Sequence, residues 1–336
     1  MFKSRSLELV NRALSNMEGK NLLINGDFSV WQRGNGPATE TGFLADRWDF
    51  TYSDVASRSI VRVQVSGKDN GSRGDSIRVQ ADYSGSGGAS TLHLYQAIED
   101  VRIASGQKVT VSFRMKSNTI AGVVRQSLRQ DFGSGGSSTN WLTGSTFRIS
   151  TEWETYSAVV DVASTQEKTV GIDSYLDFRF SLVNEAQGDI PDSGTAVDYE
   201  ISDMQIEIGD SATAFEIVDQ TTQLLKCQRY YQRSALDSLT SREFGSISSA
   251  LNTSQCDVAA ISYAVDMRAH PTVTFYNTEG GTAGMWSYND GGVWTSATSM
   301  LVSTNSTKSM KIRMGGTFVT QDSYVCSGNF TLEAEL

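Results

Sequence analysis

The sequence predicts an all-β protein built from antiparallel sheets. Apolar side chains recur at every second position in many segments, which places one set of side chains on a buried face and the next in solvent. The segments are separated by clusters rich in Gly, Ser, Asn and Asp, such as SGKDNGSRGD and YSGSGGAS, which are typical of turns and loops. With 336 residues, the chain is long enough for two domains with a core each.

Six segments carry the alternation, and each predicts a half-buried strand. In chain order, the predicted buried faces are Val61, Val63 and Val65; Val109, Val111, Phe113 and Met115; Leu176, Phe178, Phe180 and Leu182; Met204, Ile206 and Ile208; Met310, Ile312 and Met314; and Phe330, Leu332, Ala334 and Leu336.

The N-terminal segment has helical spacing instead. Its apolar side chains recur every three or four residues and end before Gly19: Leu7, Val10, Leu14 and Met17. This narrow stripe is too short to hold an oligomer alone. It predicts a helix that either packs on its own domain or docks on another protein, and we expect docking because only this one seam is apolar.

A second helix is predicted at residues 219–234. Asp219 can cap it, and Leu224, Cys227 and Tyr231 share one face. This helix would join two domains. The predicted organisation is a docking helix at 1–20, a β-sandwich at 21–218, a linker helix at 219–234 and a C-terminal β-sandwich at 235–336.

Composition excludes several partners. The formal net charge is −10 and no dense run of Lys or Arg occurs, so nucleic acid is not expected. No apolar stretch approaches the roughly 20 residues that cross a bilayer, and the N-terminus lacks a signal-peptide core, so we expect cytosolic synthesis without membrane insertion. Cys227, Cys256 and Cys326 are few and widely spaced, which predicts buried thiols.

Exposed aromatic rings next to polar groups are the candidates for glycan binding, because a sugar offers an apolar face and a rim of hydroxyl groups. Trp141 lies in a stretch without strand periodicity, where a large ring is expected to be exposed. The segment MWSYNDGGVWTS predicts a hairpin whose tip would present Trp286, Tyr288 and Trp294 beside Asn289 and Asp290. The alternative for both regions is packing within the protein or against a second copy.

We do not expect an enzyme. Glu152, Glu154, Asp173 and Asp177 are carboxylates of the kind that glycosidases use, but acidic residues are common on the exposed face of a strand. Histidine-based catalysis is poorly served, because the chain has only two histidines, His93 and His270. A polysaccharide depolymerase remains an alternative and would need two carboxylates about 5 to 9.5 Å apart.

Five segments form an ordered series along the chain: NLLINGDFSVWQRG at 21–34, ADRWDF at 45–50, LYQAIEDVRIASGQKVTVSFRMKS at 94–117, ISDMQIEIGDSATAFE at 201–216 and CQRYYQRS at 227–234. This series resembles the carbohydrate-binding-module-like domain of bacteriophage tail fibre and virion proteins. VDMRAHPTVTFYN at 265–277 and the ending NFTLEAEL are similar to the C-terminal β domain that accompanies this module.

The resemblance implies a jelly-roll sandwich and a non-enzymatic, homotrimeric fibre or spike subunit on the tail or head of a virion, assembled in the host cytoplasm. Its loops would bind a host surface glycan or receptor, and residues 1–20 would contact other virion proteins. The alternative is a structural capsid or tail decoration protein that binds no sugar.

The resemblance also bears on metal binding and on the segment 21–34. In related sugar-binding jelly rolls, the first strand reads N-G-x-F-E and its Glu helps to hold a structural calcium ion. Ser29 occupies that position here, which leaves Asp27 and Asp203 as weak calcium candidates, so no cofactor is expected. Packing is the expected role of the tryptophans and charged residues around this corner: Trp31, Trp48, Arg33, Asp46 and Arg47.

Overall fold

A computed structural model of the chain describes residues 19–34, 40–55, 57–63, 75–82, 90–119, 121–142, 144–184, 196–234, 245–278, 282, 284–320 and 322–336. The predicted docking helix, with Leu7, Val10, Leu14 and Met17, lies outside the described residues, as does Val65. Strands dominate what is described, which confirms the all-β prediction. The chain divides into two compact units, one ending at Gln223 and one running from Leu224 to Glu335.

The first unit contains twelve described strands. They are β1 (Gly42–Phe43), β2 (Asp49–Ser53), β3 (Ser57–Val63), β4 (Ser76–Asp82), β5 (Thr91–Glu99), β6 (Lys108–Ser117), β7 (Gly122–Asp131), β8 (Asn140–Trp141), β9 (Ser145–Ile149), β10 (Glu154–Asp161), β11 (Tyr175–Asn184) and β12 (Ala196–Ile208). One sheet has seven strands in the order β1-β2-β5-β11-β7-β8, with β9 also paired to β7, and the other has five in the order β10-β6-β12-β4-β3.

The two sheets of this unit form an antiparallel sandwich with a shared core. Consecutive strands from β4 to β7 alternate between the sheets, and β9 to β12 pair beside them, as in a jelly roll. The rings of Phe113 on β6 and Phe180 on β11 meet across the sandwich, with centroids 4.8 Å apart. The alternation in these two strands therefore fills the core from both sides.

The predicted buried faces are confirmed in β6 and β11, whose apolar positions are fully buried. Two predictions of the strand faces were wrong. In β3 the buried residue is Ile60, whereas Val61 and Val63 are only partly buried, because the strand lies at the edge of its sheet. At the end of β12, Ile208 is 49 % exposed, because the strand ends there and the chain turns at Gly209.

The segment 21–34 forms a corner and contains no strand. Asn25 and Phe28 have positive φ angles of 60° and 53°, which break an extended strand. The buried Asn25 side chain makes two hydrogen bonds to the backbone of Val30. Its Oδ1 accepts from the Val30 amide at 3.0 Å, and its Nδ2 donates to the Val30 carbonyl at 2.9 Å. A Cβ atom at Gly26 would overlap the carbonyl oxygen of Met204, so the corner crosses β12 too closely for any other residue.

The second unit contains ten described strands. They are β13 (Tyr231–Arg233), β14 (Gly245–Asn252), β15 (Gln255–Ser262), β16 (Thr272–Tyr276), β17 (Ser287–Asp290), β18 (Val293–Ser296), β19 (Ser299–Asn305), β20 (Ser309–Gly315), β21 (Ser323–Ser327) and β22 (Asn329–Glu333). They form a three-stranded sheet, β13-β22-β16, and a seven-stranded sheet, β18-β17-β21-β14-β15-β20-β19. The predicted buried residues of β20 lie in the core of this unit, as do Phe330, Leu332 and Ala334. Leu336 was also predicted to be buried but is only partly buried, because β22 ends at Glu333. All three cysteines are buried thiols as predicted.

The linker helix is shorter than predicted. Helix α1 spans Gln220–Gln228, and Asp219 accepts hydrogen bonds from the amides of Thr221 and Thr222 at its start. The chain then turns, with the Tyr230 amide bonded to the Cys227 carbonyl at 2.9 Å. Tyr231, predicted to be helical, begins β13, because this segment supplies the antiparallel partner of β22.

We expect Gly26→Ala to lower the free energy of unfolding of the first unit by about 3 kcal/mol, because the new methyl group must push apart the corner and β12. Urea unfolding followed by circular dichroism measures the change. Gly106→Ala is the control: Gly106 has a φ of 70°, and a Cβ atom there would make only an ordinary contact of 3.8 Å with Ser164 Cβ, so only backbone strain of about 1 kcal/mol is expected. Equal losses in the two variants would contradict the close crossing.

Candidate functional site

The outer face of the seven-stranded sheet in the first unit carries an unusual set of side chains. Residues that alternate with the core positions of β5, β11 and β7 point away from the core and stand in cross-strand rows. The registers of the strands define the rows, which are Asp49–Tyr95–Arg179–Ser127, Ala97–Asp177–Arg129–Trp141 and Glu99–Tyr175–Asp131. Three aromatic rings and two arginines therefore lie on adjacent rows. We call this set, Tyr95, Arg129, Trp141, Tyr175, Asp177 and Arg179, the aromatic face.

Trp141 is the most exposed ring of the aromatic face, at 50 %. Its short strand β8 pairs with β7, which places Trp141 directly opposite Arg129. The guanidinium carbons of Arg129 and Arg179 lie 5.3 and 4.6 Å from the centre of the ring. These cation–π contacts fix the indole on the sheet and leave half of its surface open to solvent.

Arg129 organises the acidic part of the aromatic face. Its Nη2 atom lies 3.1 Å from Asp177 Oδ2 and 3.7 Å from Asp131 Oδ2, and it donates a hydrogen bond of 3.1 Å to the Tyr175 hydroxyl. Burial raises the pKa of the Asp177 carboxyl, and Arg129 and then Arg179 oppose that rise. Burial also raises the pKa of Tyr175, so its hydroxyl stays protonated and able to donate.

Arg179 lies at the centre of the aromatic face. Its guanidinium carbon is 4.6 Å from the ring centre of Tyr95 and 4.6 Å from that of Trp141. Its Nε atom is buried and has no hydrogen-bond partner among the described residues. The rings hold the guanidinium in place while leaving its hydrogen-bonding capacity unused.

His93, two residues before Tyr95 on β5, extends the outward phase of this strand by one cross-strand row. It is only 7 % exposed, and its ring is 5.7 Å from that of Tyr95. Burial, and to a smaller extent the charge of Arg179, together lower the pKa of His93 to about 4. His93 is therefore neutral at physiological pH.

A surface depression of about 240 Å³ runs along the aromatic face. Its lining includes Tyr95, Tyr175, Asp177, Arg129 and Arg179, together with neighbours from β1 and β2. Beside it, the buried Arg47 donates a hydrogen bond of 2.5 Å to the Ala97 carbonyl, which fixes the wall of the depression.

The sequence-predicted glycan residues differ in their exposure. Trp141 is exposed as expected, and it meets functional groups that sequence reasoning missed. Tyr95, Tyr175, Arg129 and Arg179 were not singled out, and Asp177 was considered only as an ordinary exposed carboxylate. A signal was present in TLHLYQAIE and YLDFRFSLVN, where rings and arginines occupy the outward phase of strands whose other phase is apolar.

The predicted aromatic tip in the second unit was wrong for two of its three rings. The hairpin exists, with Gly291 and Gly292 at its turn, both at positive φ. However, Trp286 is fully buried, with its Nε1 bonded to the Asn329 carbonyl at 2.9 Å. Tyr288 is also buried.

The reason is that β17 pairs with β21 as well as with β18, so that one side of the hairpin closes the core. The ring of Tyr288 lies 4.6 Å from that of Phe318, inside this core. Asn289 accepts a hydrogen bond from the Gly292 amide and shapes the turn, whereas Asp290 is exposed and Trp294 is partly exposed.

The carboxylates of both calcium candidates contact other side chains or backbone groups of the protein. Asp27 accepts hydrogen bonds from the Ser29 amide and hydroxyl at 3.3 and 2.9 Å, and Asp203 lies 3.8 Å from Arg114. Arg62, bonded to Asp75, donates to the Ser29 carbonyl at 3.1 Å. Among the described residues, no three His, Cys, Asp or Glu side chains cluster as metal ligands.

The packing expected around the first corner is confirmed. Trp48 is fully buried and Trp31 nearly so, and Trp48 donates a hydrogen bond of 2.8 Å to the Asn25 carbonyl. Asp46 accepts the Gln32 amide at 3.0 Å and lies 3.8 Å from Arg33. None of the helices in the described ranges is long and apolar enough to cross a membrane.

Comparisons with known proteins found structural similarity only. No protein-family model matches the chain, and no curated protein matches it. Among solved structures, it is similar to a family 11 carbohydrate-binding module from Clostridium thermocellum, in complex with a mixed-linked tetrasaccharide, at 13 % identity over 53 % of this chain and 99 % of that chain, with a TM-score of 0.31.

Two other similar structures come from different sources. A xylan-binding domain from Paenibacillus barcinonensis matches at 9 % identity over 53 % of this chain and 99 % of that chain, with a TM-score of 0.31. The enzymatically active domain of tailspike protein 4 from bacteriophage CBA120 matches at 11 % identity over 56 % of this chain and 22 % of that chain, with a TM-score of 0.35. Similarity at this level does not establish a shared ligand.

Replacing Trp286 by Ala should destabilise the second unit by about 3 to 5 kcal/mol, because it removes a fully buried ring and the hydrogen bond from that ring to the Asn329 carbonyl. Urea unfolding followed by circular dichroism measures this loss. Trp294→Ala, in the same hairpin but partly exposed, is the matched control and should cost much less. A stability loss in Trp294→Ala as large as in Trp286→Ala would contradict the burial described here.

His93 predicts a specific pH dependence of stability. Because its pKa is about 4 in the folded protein and about 6.5 when unfolded, lowering the pH through this interval favours the unfolded state, which binds the proton more readily. The contribution of His93 should fall by about 2 kcal/mol between pH 7 and pH 5. Wild type should lose that much more stability over this interval than His93→Gln, whereas His270→Gln, at an exposed site, should follow wild type. Parallel profiles of stability against pH for wild type and His93→Gln would disprove the contribution assigned to His93.

Proposed function

We propose that the chain binds glycan on the aromatic face. The observation that carries this proposal is the half-exposed Trp141 on the same sheet surface as Tyr95 and Tyr175, beside an open depression of about 240 Å³. Aromatic rings offer flat apolar surface to the C–H faces of sugar rings, and adjacent polar groups can bond the hydroxyls.

The polar groups of the aromatic face suit this ligand. The Asp177 carboxylate and the Tyr175 hydroxyl are held by Arg129, and all three residues line the depression, so their donors and acceptors are available at its surface. All of these residues except Trp141 stand on long central strands, and Trp141 is fixed by its cation–π contacts. A rigid surface binds with a smaller loss of conformational freedom than mobile loops.

The geometry favours binding over catalysis. Asp177 and Asp131 share the single guanidinium of Arg129. An acid–base pair for glycoside cleavage would need one carboxyl group kept protonated near the leaving oxygen and a second one free to act as base or nucleophile. We therefore propose a non-enzymatic role.

The setting that we propose is a virion of a bacteriophage, where the chain is a fibre or spike subunit on the tail or head surface. The ordered series of motifs supports this setting. A homotrimer would present three copies of the aromatic face, and weak sites that act together gain orders of magnitude in avidity. Residues 1–20 would attach the subunit to other virion proteins in the host cytoplasm.

The test is a binding assay on soluble and host-envelope polysaccharides, by affinity electrophoresis and then titration calorimetry. We expect Trp141→Ala to weaken binding by at least about tenfold, because stacking contacts of a central ring commonly contribute that much.

Trp153→Ala is the matched control, since Trp153 lies against Arg114 and Lys116 of β6, in the other sheet. It should bind like wild type. Unchanged affinity in Trp141→Ala, or equal losses in both variants, would contradict a site on the aromatic face.

A further inference from the structure

We infer that the aromatic face selects glycans that carry carboxylate groups, and that the guanidinium of Arg179 binds the carboxylate. This inference rests on the proposed glycan binding and adds the class of sugar. Uronic acids and other acidic sugars share the needed chemistry, a planar carboxylate on a ring whose C–H faces can stack.

The first step is that Arg179 is the cation of this surface without a carboxylate partner. Within the described part of the chain, its contacts are the rings of Tyr95 and Trp141, and no ion pair joins it to an acidic side chain. Its charge does act on Asp177, but Asp177 pairs directly with Arg129 at 3.1 Å. The positive charge of Arg179 is thus not neutralised by a direct contact.

The second step is that Arg179 is held ready for a planar anion. Rings at 4.6 Å from the guanidinium carbon restrict its orientation, and its Nε is a buried donor without an acceptor. Because this Nε atom has almost no exposed surface, the donors that a bound carboxylate would reach are the terminal Nη groups. The fork of guanidinium hydrogens matches a carboxylate in a bidentate geometry, and a hydroxyl cannot satisfy it equally well.

The third step concerns the neighbouring groups. His93 is close enough for Arg179 to lower its pKa, and since it stays neutral it adds no second positive charge. Arg129 is engaged by Asp177 and Asp131. The aromatic face therefore offers one unneutralised guanidinium beside stacking surfaces, which suits an isolated carboxylate on a sugar better than a dense polyanion.

Because of the overall charge of the chain, a preference for acidic glycans can come only from short-range contacts. A chain with a formal net charge of −10 repels polyanions at long range. A preference for acidic glycan would then come from direct contact with Arg179, and it should survive in moderate salt, which screens the long-range repulsion more than a partly buried contact.

The experiment uses the full chain and pairs of ligands that differ only in charge. Oligosaccharides of polygalacturonate, alginate and hyaluronan are each compared with their carboxyl-reduced forms by titration calorimetry, for wild type and for Arg179→Gln, Arg179→Lys and Lys311→Gln. Lys311 is exposed in the second unit and gives the same change of charge at a residue that does not belong to the aromatic face.

We expect wild type to bind at least one acidic form about tenfold to hundredfold more tightly than its reduced form, as a charged hydrogen bond implies. Arg179→Gln should abolish that ratio, and because it also removes a contact that fixes Trp141, it should weaken binding of both forms. Urea unfolding followed by circular dichroism reports whether the variant keeps its fold. Arg179→Lys should keep part of the ratio, and Lys311→Gln all of it.

Three results would overturn the inference. Wild type could bind both forms equally with affinity that depends on Trp141, in which case the glycan site stands and the charge preference fails. The preference could persist in Arg179→Gln, which would place the carboxylate elsewhere. Absence of binding to every acidic form would reject it as well, and absence of binding to neutral polysaccharides too would reject the proposed function with it.

Discussion

The alternation of side chains in β11 is the constraint on which the first unit depends. This strand lies between β5 and β7, and every second residue enters the core, where Phe180 meets Phe113 of the opposite sheet. The remaining positions carry Tyr175, Asp177 and Arg179 to the outer face. A shift of the strand by one residue would expose the phenylalanines and bury the charges, so the core that stabilises the sandwich also fixes the register of the outer face.

Much of the fold follows from patterns that a single strand contains. Alternation predicted β6, β11, β20 and β22, because each buries one face and the sequence records it. The prediction of the buried face failed for the edge strand β3, because its valines are only partly buried and Ile60 takes the core position. The corner at 21–34 could not be read from local preference, because its shape depends on a close approach between Gly26 and Met204, which are far apart in sequence.

The candidate site was predictable only in part, for a similar reason. Trp141 stood out because a large ring occurred without a strand pattern to bury it. Arg179 and Tyr95 lie on different strands, and only the pairing of β5 with β11 brings them together. The hairpin at 287–296 was predicted correctly as a turn, yet the burial of Trp286 depends on pairing with β21 and on contact with Asn329, which the hairpin sequence does not contain.

Placement of the aromatic face on strands rather than on loops has an evolutionary consequence. Between Tyr175 and Arg179, each outward side chain of β11 is separated from the next by a residue that packs in the core, Leu176 or Phe178. Selection can therefore exchange Tyr175 or Arg179 one at a time without repacking the interior. Descendants of this chain could change the surface they recognise by single point mutations, while the scaffold is inherited intact.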